Sequence, residues 1–185
     1  QQLRSLPTDP DTDAYAFIWP YCDGKRYITR NVPYKPALFR MSKIAAIEFT
    51  ARNYSTNGVM KNVPLVLEHR PEYNNYTRLT FDRKWRRWIK IQAEMTLDHE
   101  STRFYNFPEE HIQSFRRYMH NQIRLSHPLL APGWFLYSWL KFMARLQVWR
   151  NPAALHVPCY MGLYAYVLCR DIWDGKRRRV LQAGK

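Results

Sequence analysis

Cysteine is scarce in this sequence, and the cysteines present form no recognisable pattern. The three of them, Cys22, Cys159 and Cys169, are odd in number and never occur in CxxC spacing. Small secreted proteins that depend on disulfides carry paired cysteines, so a disulfide framework is not expected. The sequence therefore predicts a protein of a reducing compartment.

The sequence also lacks the short motifs of the common catalytic chemistries. It has no glycine-rich phosphate loop, no nucleophile elbow and no HExxH zinc motif. His156 and Cys159 are the only closely spaced His/Cys pair, and no second pair completes a four-ligand zinc site. The cluster Glu109-Glu110-His111 is explained by the preference of carboxylates for the first turn of a helix. We therefore expect no catalytic residues, no metal site, no cofactor and no enzymatic activity.

Acidic residues are few compared with basic ones. Lysine and arginine number 29 against 15 aspartates and glutamates, which gives a net charge of +14. A surplus of this size attracts nucleic acid or an anionic lipid surface, although a simple role in solubility is the alternative. Tyrosine (13) and tryptophan (7) are abundant, and both are enriched at protein interfaces. The composition favours a basic subunit of a larger assembly.

The basic residues are concentrated in two segments, one in the middle of the chain and one near its end. The candidate RNA-binding residues are Arg83, Lys84, Trp85, Arg86, Arg87, Trp88 and Lys90 in the first segment, and Lys176, Arg177, Arg178 and Arg179 in the second. Basic side chains make sequence-independent phosphate contacts, and an exposed tryptophan can stack on an unpaired base. The alternative is a solvated, charged hairpin with a tryptophan in the core. On a strand, we expect only one of the two tryptophans to face outwards.

The N-terminal part predicts an extended arm followed by a small α/β domain. Residues 1–13 contain prolines and aspartates without a periodic apolar pattern, which is typical of an arm. Residues 14–20 (AYAFIWP) predict a first strand, with a turn at Asp23-Gly24 and a returning strand over residues 25–29. Pro36 then predicts the start of a helix, because apolar residues follow it at helical spacing.

Residues 61–93 predict a three-stranded unit at the centre of this domain. Residues 63–68 are a short apolar stretch typical of a core strand, with an irregular or edge position at Pro64. Two aromatic-rich strands are expected after a polar turn. The last one carries the first basic segment, because Ile89, Ile91 and Ala93 alternate with polar residues as in a half-exposed strand.

The C-terminal part predicts helices. Residues 108–125 combine a proline start, two carboxylates in the first turn and an apolar stripe, which predicts a helix. After a linker with prolines and a glycine, residues 134–149 are apolar almost all round, as in a helix buried on several sides or lying against a membrane. Residues 153–169 carry no formal charge, so a membrane span is an alternative to burial. We therefore divide the chain into an extended arm (1–13), an α/β domain (14–127), a helical aromatic extension (128–175) and a basic tail (176–185).

Several short segments carry a resemblance to one family of small proteins. They are Ala51-Arg52-Asn53 at the end of the predicted helix, Asn62-Val63-Pro64-Leu65-Val66-Leu67-Glu68, His69-Arg70-Pro71, residues 76–81, and Asn106-Phe107-Pro108-Glu109-Glu110. In this order they resemble the thioredoxin-like family shared by several mitochondrial ribosomal proteins and a matrix-arm accessory subunit of respiratory complex I. The resemblance covers residues 36–125. Two features depart from the family: Asp82-Arg83-Lys84 replaces a hairpin glycine, and the C-terminal third has no counterpart.

The resemblance implies a small thioredoxin-like sheet-and-helix domain. With the helices predicted for the C-terminal third, the expected fold is α+β, with this domain followed by a helical, aromatic-rich C-terminal extension. The resemblance implies no redox chemistry, because the CxxC motif is absent. Together with the charge, it predicts a structural subunit of a mitochondrial ribosome in the matrix, which binds ribosomal RNA and neighbouring ribosomal proteins. The alternative is a supernumerary, non-catalytic subunit of an inner-membrane respiratory or ATP synthase complex. That subunit would have one C-terminal membrane segment and would contact other subunits and anionic lipid such as cardiolipin.

Overall fold

A computed structural model describes residues 10–18, 34–47, 55–56, 58–66 and 77–184 of the chain. Over these residues the protein has mixed α and β structure, as the sequence predicts, with two small sheets and several packed helices. The greater part of the expected arm (1–9), the turn at Asp23-Gly24 and the expected strand over residues 25–29 lie outside the described residues.

Two three-stranded sheets lie in the N-terminal part. The strands are β1 (Ala14–Ile18), β2 (Tyr34–Phe39), β3 (Ile44–Ile47), β4 (Ser55–Thr56), β5 (Met60–Val66) and β6 (Phe104–Tyr105). In the first sheet β1 is central, antiparallel to β2 and parallel to β5; the second sheet has the order β4-β3-β6. The predicted first strand is confirmed over β1, where Phe17 is fully buried.

The strand predicted at residues 63–68 is confirmed as far as Val66, but it is not a core strand. It forms the end of β5, which lies at the edge of the first sheet, and Val66 is half exposed. Leu67 and Glu68 lie outside the described residues.

The helix predicted from Pro36 is wrong over residues 36–47, and its expected end at Ala51-Arg52-Asn53 lies outside the described residues. This segment forms β2, then a 3-10 turn at Met41–Lys43, then β3. Pro36 lacks an N–H group, and strands tolerate proline at sheet edges and bulges. Both conditions hold here, because β2 is an edge strand and its pairing with β1 shifts register between Tyr15 and Ala16, beside Pro36. The thioredoxin-like arrangement that the resemblance implies is therefore not confirmed.

The two aromatic-rich strands predicted before residue 93 are also wrong. The chain is helical here, as α1 (Arg78–Thr80), a π-helical segment (Phe81–Trp85) and α2 (Arg86–Leu97). Thr77 caps the start, since its hydroxyl accepts a hydrogen bond from the Thr80 N–H at 3.2 Å.

An apolar stripe with a spacing of four residues explains this helix. Phe81, Ile89 and Ala93 are buried, and Trp85 is partly buried in the same row. A spacing of four exceeds the 3.6 residues of an α-helical turn, and the wider π-helical segment compensates for part of the difference. The row therefore stays on one face, and the polar residues between its members lie outside it.

From Glu109 onwards the described chain is helical, with α3 (Glu109–Leu125), α4 (Ala131–Arg145) and α5 (His156–Ala183), and with 3-10 segments at Pro128–Leu130, Val148–Arg150 and Pro152–Ala154. The predicted helix over residues 108–125 is confirmed, beginning immediately after Pro108. The expected linker instead starts α4, with a proline in its first turn. The expected basic tail continues α5 as far as Ala183.

The core lies where α5 packs between α2 and α4. One cluster joins Phe81, Ile89 and Ala93 to Val167, Leu168 and Ile172, and a second consists of Leu146, Val148, Ala154 and Val157. The charge-free run over residues 153–169 therefore contributes many of its side chains to this interior. Among the helices of the described residues, none has the length and apolar character needed to cross a membrane.

Candidate polyanion-binding groove between two parallel helices

The first functional feature is the side-by-side packing of α2 and α5. The Phe81 and Tyr160 ring centroids lie 6.0 Å apart, and the Trp85 and Tyr164 centroids lie 5.7 Å apart. Further along, the side chain of Leu97 packs directly over Gly175. The contacts advance in the same direction along both helices, so the helices run parallel.

This packing brings the two basic segments of the sequence together. A groove of about 790 Å³ lies between α2 and α5, and it is lined by five basic side chains. They are Arg86, Arg87 and Lys90 from α2, and Arg177 and Arg178 from α5. Its apolar lining comes from Ala93, Leu97 and Leu181. We call this surface the basic groove.

Three acidic side chains, Glu94, Asp171 and Asp174, also line the basic groove. Burial raises the pKa of Asp171, and the neighbouring Asp174 carboxylate raises it further, while the guanidinium groups of Arg86, Arg178 and Arg170 act in the opposite direction. Asp171 is thus a partly desolvated carboxylate between basic residues of both helices. With five basic side chains against three acidic ones, the lining of the groove remains net positive.

Not all of the predicted RNA-binding residues lie in this groove. Arg83, Lys84 and Lys176 are exposed but do not line it. Arg179 contacts the end of α2: its Nη1 donates to the Leu97 carbonyl oxygen at 3.0 Å and lies 2.7 Å from Asp98 Oδ1. The structure therefore gives Arg179 a role within the chain.

The two tryptophans do not divide into one core and one surface residue, as a strand would require. Both are partly buried. Trp85 packs against both core clusters, and its ring is stacked with the Phe81 ring at a centroid distance of 6.3 Å. Neither side chain lines the basic groove, and Trp85 belongs to the helix packing.

A second depression continues from the basic groove towards the beginnings of both helices. It has a volume of about 570 Å³, and Arg86 lines both depressions. Its other lining residues are Arg78, Phe81, Asp82, Cys159, Tyr160 and Leu163. We call it the aromatic pocket. No sequence pattern predicted this pocket directly, although the spacing of four between Phe81 and Trp85 indicates a shared helix face.

Among the described residues, no three His, Cys, Asp or Glu side chains gather in a way that would hold a metal ion. Comparison of the chain with protein-family models, with curated proteins and with solved structures gives no significant match.

Proposed function

We propose that this protein is a structural subunit of a mitochondrial ribosome, which binds ribosomal RNA through the basic groove. The observation that supports this most directly is the convergence of Arg86, Arg87 and Lys90 with Arg177 and Arg178 on one surface. These residues are far apart in the sequence, and the parallel packing of α2 and α5 joins them.

The chemistry of the groove suits a phosphate chain. Basic side chains bind phosphates without regard to base sequence, and the release of counterions makes this binding depend on salt. Arg87, Lys90 and Arg177 are exposed at the groove, where phosphates have access to them. The total charge of +14 adds long-range attraction to the same ligand.

The exposed apolar surface of α4 suits contacts with neighbouring proteins. Leu136, Tyr137 and Leu140 are 53%, 60% and 52% exposed and lie on one face of the helix. Aromatic and aliphatic side chains of this kind are typical of interface cores. The mitochondrial placement is supported by the resemblance of Asn62–Glu68 and Asn106–Glu110 to the family described above.

A salt titration of RNA binding tests the role of the groove. We expect the triple variant Arg87→Ala/Lys90→Ala/Arg177→Ala to weaken binding at least tenfold in moderate salt. The slope of log affinity against log salt should become shallower by about 2, since each phosphate contact on a single strand contributes about 0.7. The matched control is Lys43→Ala/Arg117→Ala/Arg124→Ala, which removes the same charge from exposed positions elsewhere. Equal losses in both variants would mean that the groove has no special role.

Sedimentation of the native assembly tests the ribosomal placement. The protein should sediment with a ribosomal subunit and should move to light fractions after ribonuclease treatment. If it stays in a large particle that ribonuclease does not change, the ribosomal placement is wrong.

A supernumerary subunit of an inner-membrane respiratory or ATP synthase complex is the second candidate. It is favoured by the exposed apolar side chains around the start of α4, including Leu129, which is 83% exposed. The basic groove would then contact an anionic headgroup such as that of cardiolipin. Sedimentation with and without ribonuclease separates the candidates, because a ribosomal protein moves to light fractions after ribonuclease treatment, whereas this subunit would stay in a particle that ribonuclease does not change.

A further inference from the structure

The aromatic pocket and the basic groove form a continuous surface along α2 and α5. Arg86 lines both parts and therefore lies where they meet. One part offers cations without an aromatic side chain, and the other offers Phe81 and Tyr160 with two arginines beside them. A ligand that fits both parts has anionic groups at one end and a flat apolar group at the other.

The side chains of the aromatic pocket suit a nucleobase. The Phe81 and Tyr160 rings lie 6.0 Å apart at an interplanar angle of 37°, and Leu163 adds an aliphatic surface. Phe81 is only 5% exposed and forms the base of the pocket, so the aromatic surface open to stacking is the partly exposed ring of Tyr160, with Arg78 and Arg86 beside it. Aromatic and arginine side chains are the usual stacking partners of unpaired bases in RNA-binding proteins.

The aromatic pocket selects a single strand. An RNA duplex is A-form, and side chains cannot read its deep, narrow major groove, so a duplex offers this surface mainly phosphates and sugars. In a duplex the bases are also stacked and paired, so none is free to enter the aromatic pocket.

The geometry points to a segment of single-stranded RNA as the ligand, with one unpaired base in the aromatic pocket and the backbone running past Arg86 into the basic groove. Arg86 is the one cation that lines both parts, so it lies between the base and the first phosphate of the bound strand. This inference rests on the proposed function, namely that the groove binds RNA, and adds the form of RNA that it binds.

The first test compares a labelled 12-nucleotide oligouridine, alone and paired with oligoadenosine, by fluorescence anisotropy in the same salt. We expect the single strand to bind at least tenfold more tightly than the duplex. The full chain is used throughout.

The second test fills the pocket without touching the core. Cys159 is exposed and lines the aromatic pocket, so Cys159→Trp places an indole where the base would lie. Leu129→Trp is the control, because it adds the same indole at an exposed position outside both depressions. We expect Cys159→Trp to weaken single-strand binding about tenfold, in the range found when one stacking interaction is lost. The salt slope should stay unchanged, because the groove cations remain, and Leu129→Trp should bind like the wild type.

The outcomes separate this inference from the function on which it rests. If single strand and duplex bind equally, or if Cys159→Trp binds like Leu129→Trp, the inference is overturned. The proposed function stands if the groove triple variant is still weakened. If neither RNA binds, or if the triple variant binds both RNAs with the same salt dependence as the wild type, the inference and the proposed function both fail. Since Cys159 is at the surface, unchanged thermal unfolding of Cys159→Trp shows that a loss of binding is not a loss of folding.

Discussion

The hydroxyl group of Tyr164 on α5 donates a hydrogen bond to Oε1 of Gln92 on α2. The same ring meets Trp85 edge to face, and burial raises the pKa of the Tyr164 phenol to about 12. One side chain thus joins the two groove-forming helices by a polar and an aromatic contact. The parallel packing that creates the groove depends in part on this residue.

Replacement of Tyr164 by phenylalanine tests that contact. Tyr164→Phe keeps the ring against Trp85 but leaves Gln92 Oε1 without its donor, so we expect a loss of about 1–2 kcal/mol in the free energy of unfolding. Urea denaturation measures it. Tyr137→Phe is the matched control, because Tyr137 is 60% exposed, and its cost should stay within about 0.5 kcal/mol. Equal stability of the two variants would contradict the structural role of Tyr164.

The raised pKa of Tyr164 predicts a dependence of stability on alkaline pH. The phenol ionises near pH 10 in the unfolded chain and near pH 12 in the folded protein, so the folded state holds the proton more tightly. Its contribution to stability is complete below pH 10 and is lost as the pH rises towards 12. Urea midpoints between pH 9 and 11.5 should therefore fall more steeply for the wild type than for Tyr164→Phe. Parallel curves would show that burial does not hold this proton.

Two glycines of α5 give a matched pair of packing tests. A Cβ at Gly162 would lie 2.9 Å from Phe135 Cε2 and 3.1 Å from the Phe135 backbone oxygen, whereas a Cβ at Gly175 would meet the terminal methyl group of Leu97. A side-chain methyl can move aside, but a backbone oxygen in α4 cannot. We expect Gly162→Ala to lower stability by about 1–3 kcal/mol and Gly175→Ala to stay within about 1 kcal/mol of the wild type. Thermal unfolding compares them, and the reverse order would contradict this view of the α4–α5 contact.

The sequence predicted some elements well because their signals are local. In the helix that begins after Pro108, the proline, the acidic first turn and the apolar stripe agree. Around Ile89 the signals conflict, since Ile89, Ile91 and Ala93 alternate like a strand while Phe81, Trp85, Ile89 and Ala93 share a helical face. Burial against α5 decides for the helix, and that partner lies about 80 residues away in the chain.

In the candidate site, too, the sequence predicts the features that depend on local signals and misses those that depend on long-range contacts. The basic residues were identifiable from the sequence, because charge clustering is a local property. Their meeting in one groove depends on the contact between Leu97 and Gly175, which no local pattern indicates. The assignment of Arg179 to RNA rested on its charge alone, and the structure pairs this residue with Asp98.

This pairing predicts that Arg179 stabilises the fold more than it binds RNA. Arg179→Ala removes the hydrogen bond to the Leu97 carbonyl at the end of α2 and the ion pair with Asp98. The side chains of Arg179 and Asp98 are both partly exposed, so we expect a loss of only about 0.5–1 kcal/mol in the free energy of unfolding. RNA affinity should change less than threefold. Lys176→Ala, which removes an exposed charge one turn earlier, should leave stability unchanged. A tenfold loss of affinity in Arg179→Ala would restore its predicted role in binding.

Neutralising Asp171 should strengthen RNA binding without lowering stability at neutral pH. Because burial raises the pKa of this carboxyl group, its contribution to stability is complete below the ordinary aspartate pKa and is lost as the pH rises through the raised value. At pH 7 the carboxylate is therefore a net cost, and Asp171→Asn should be at least as stable as the wild type. Below pH 4 this advantage should disappear.

Asp171→Asn removes one negative charge and so raises the net charge of the groove by one unit. We expect a three- to tenfold gain in RNA affinity at moderate salt. Asp174→Asn is the control, since it adds the same charge at an exposed position that also lines the groove. It should increase affinity without a change in stability. A loss of RNA affinity in Asp171→Asn, with the affinity of Asp174→Asn raised, would contradict this expectation and would show that Asp171 assists binding. A loss of affinity in both variants would show that the carboxylates accept hydrogen bonds from the RNA, through its 2′-hydroxyl groups or its bases, instead of repelling its phosphates.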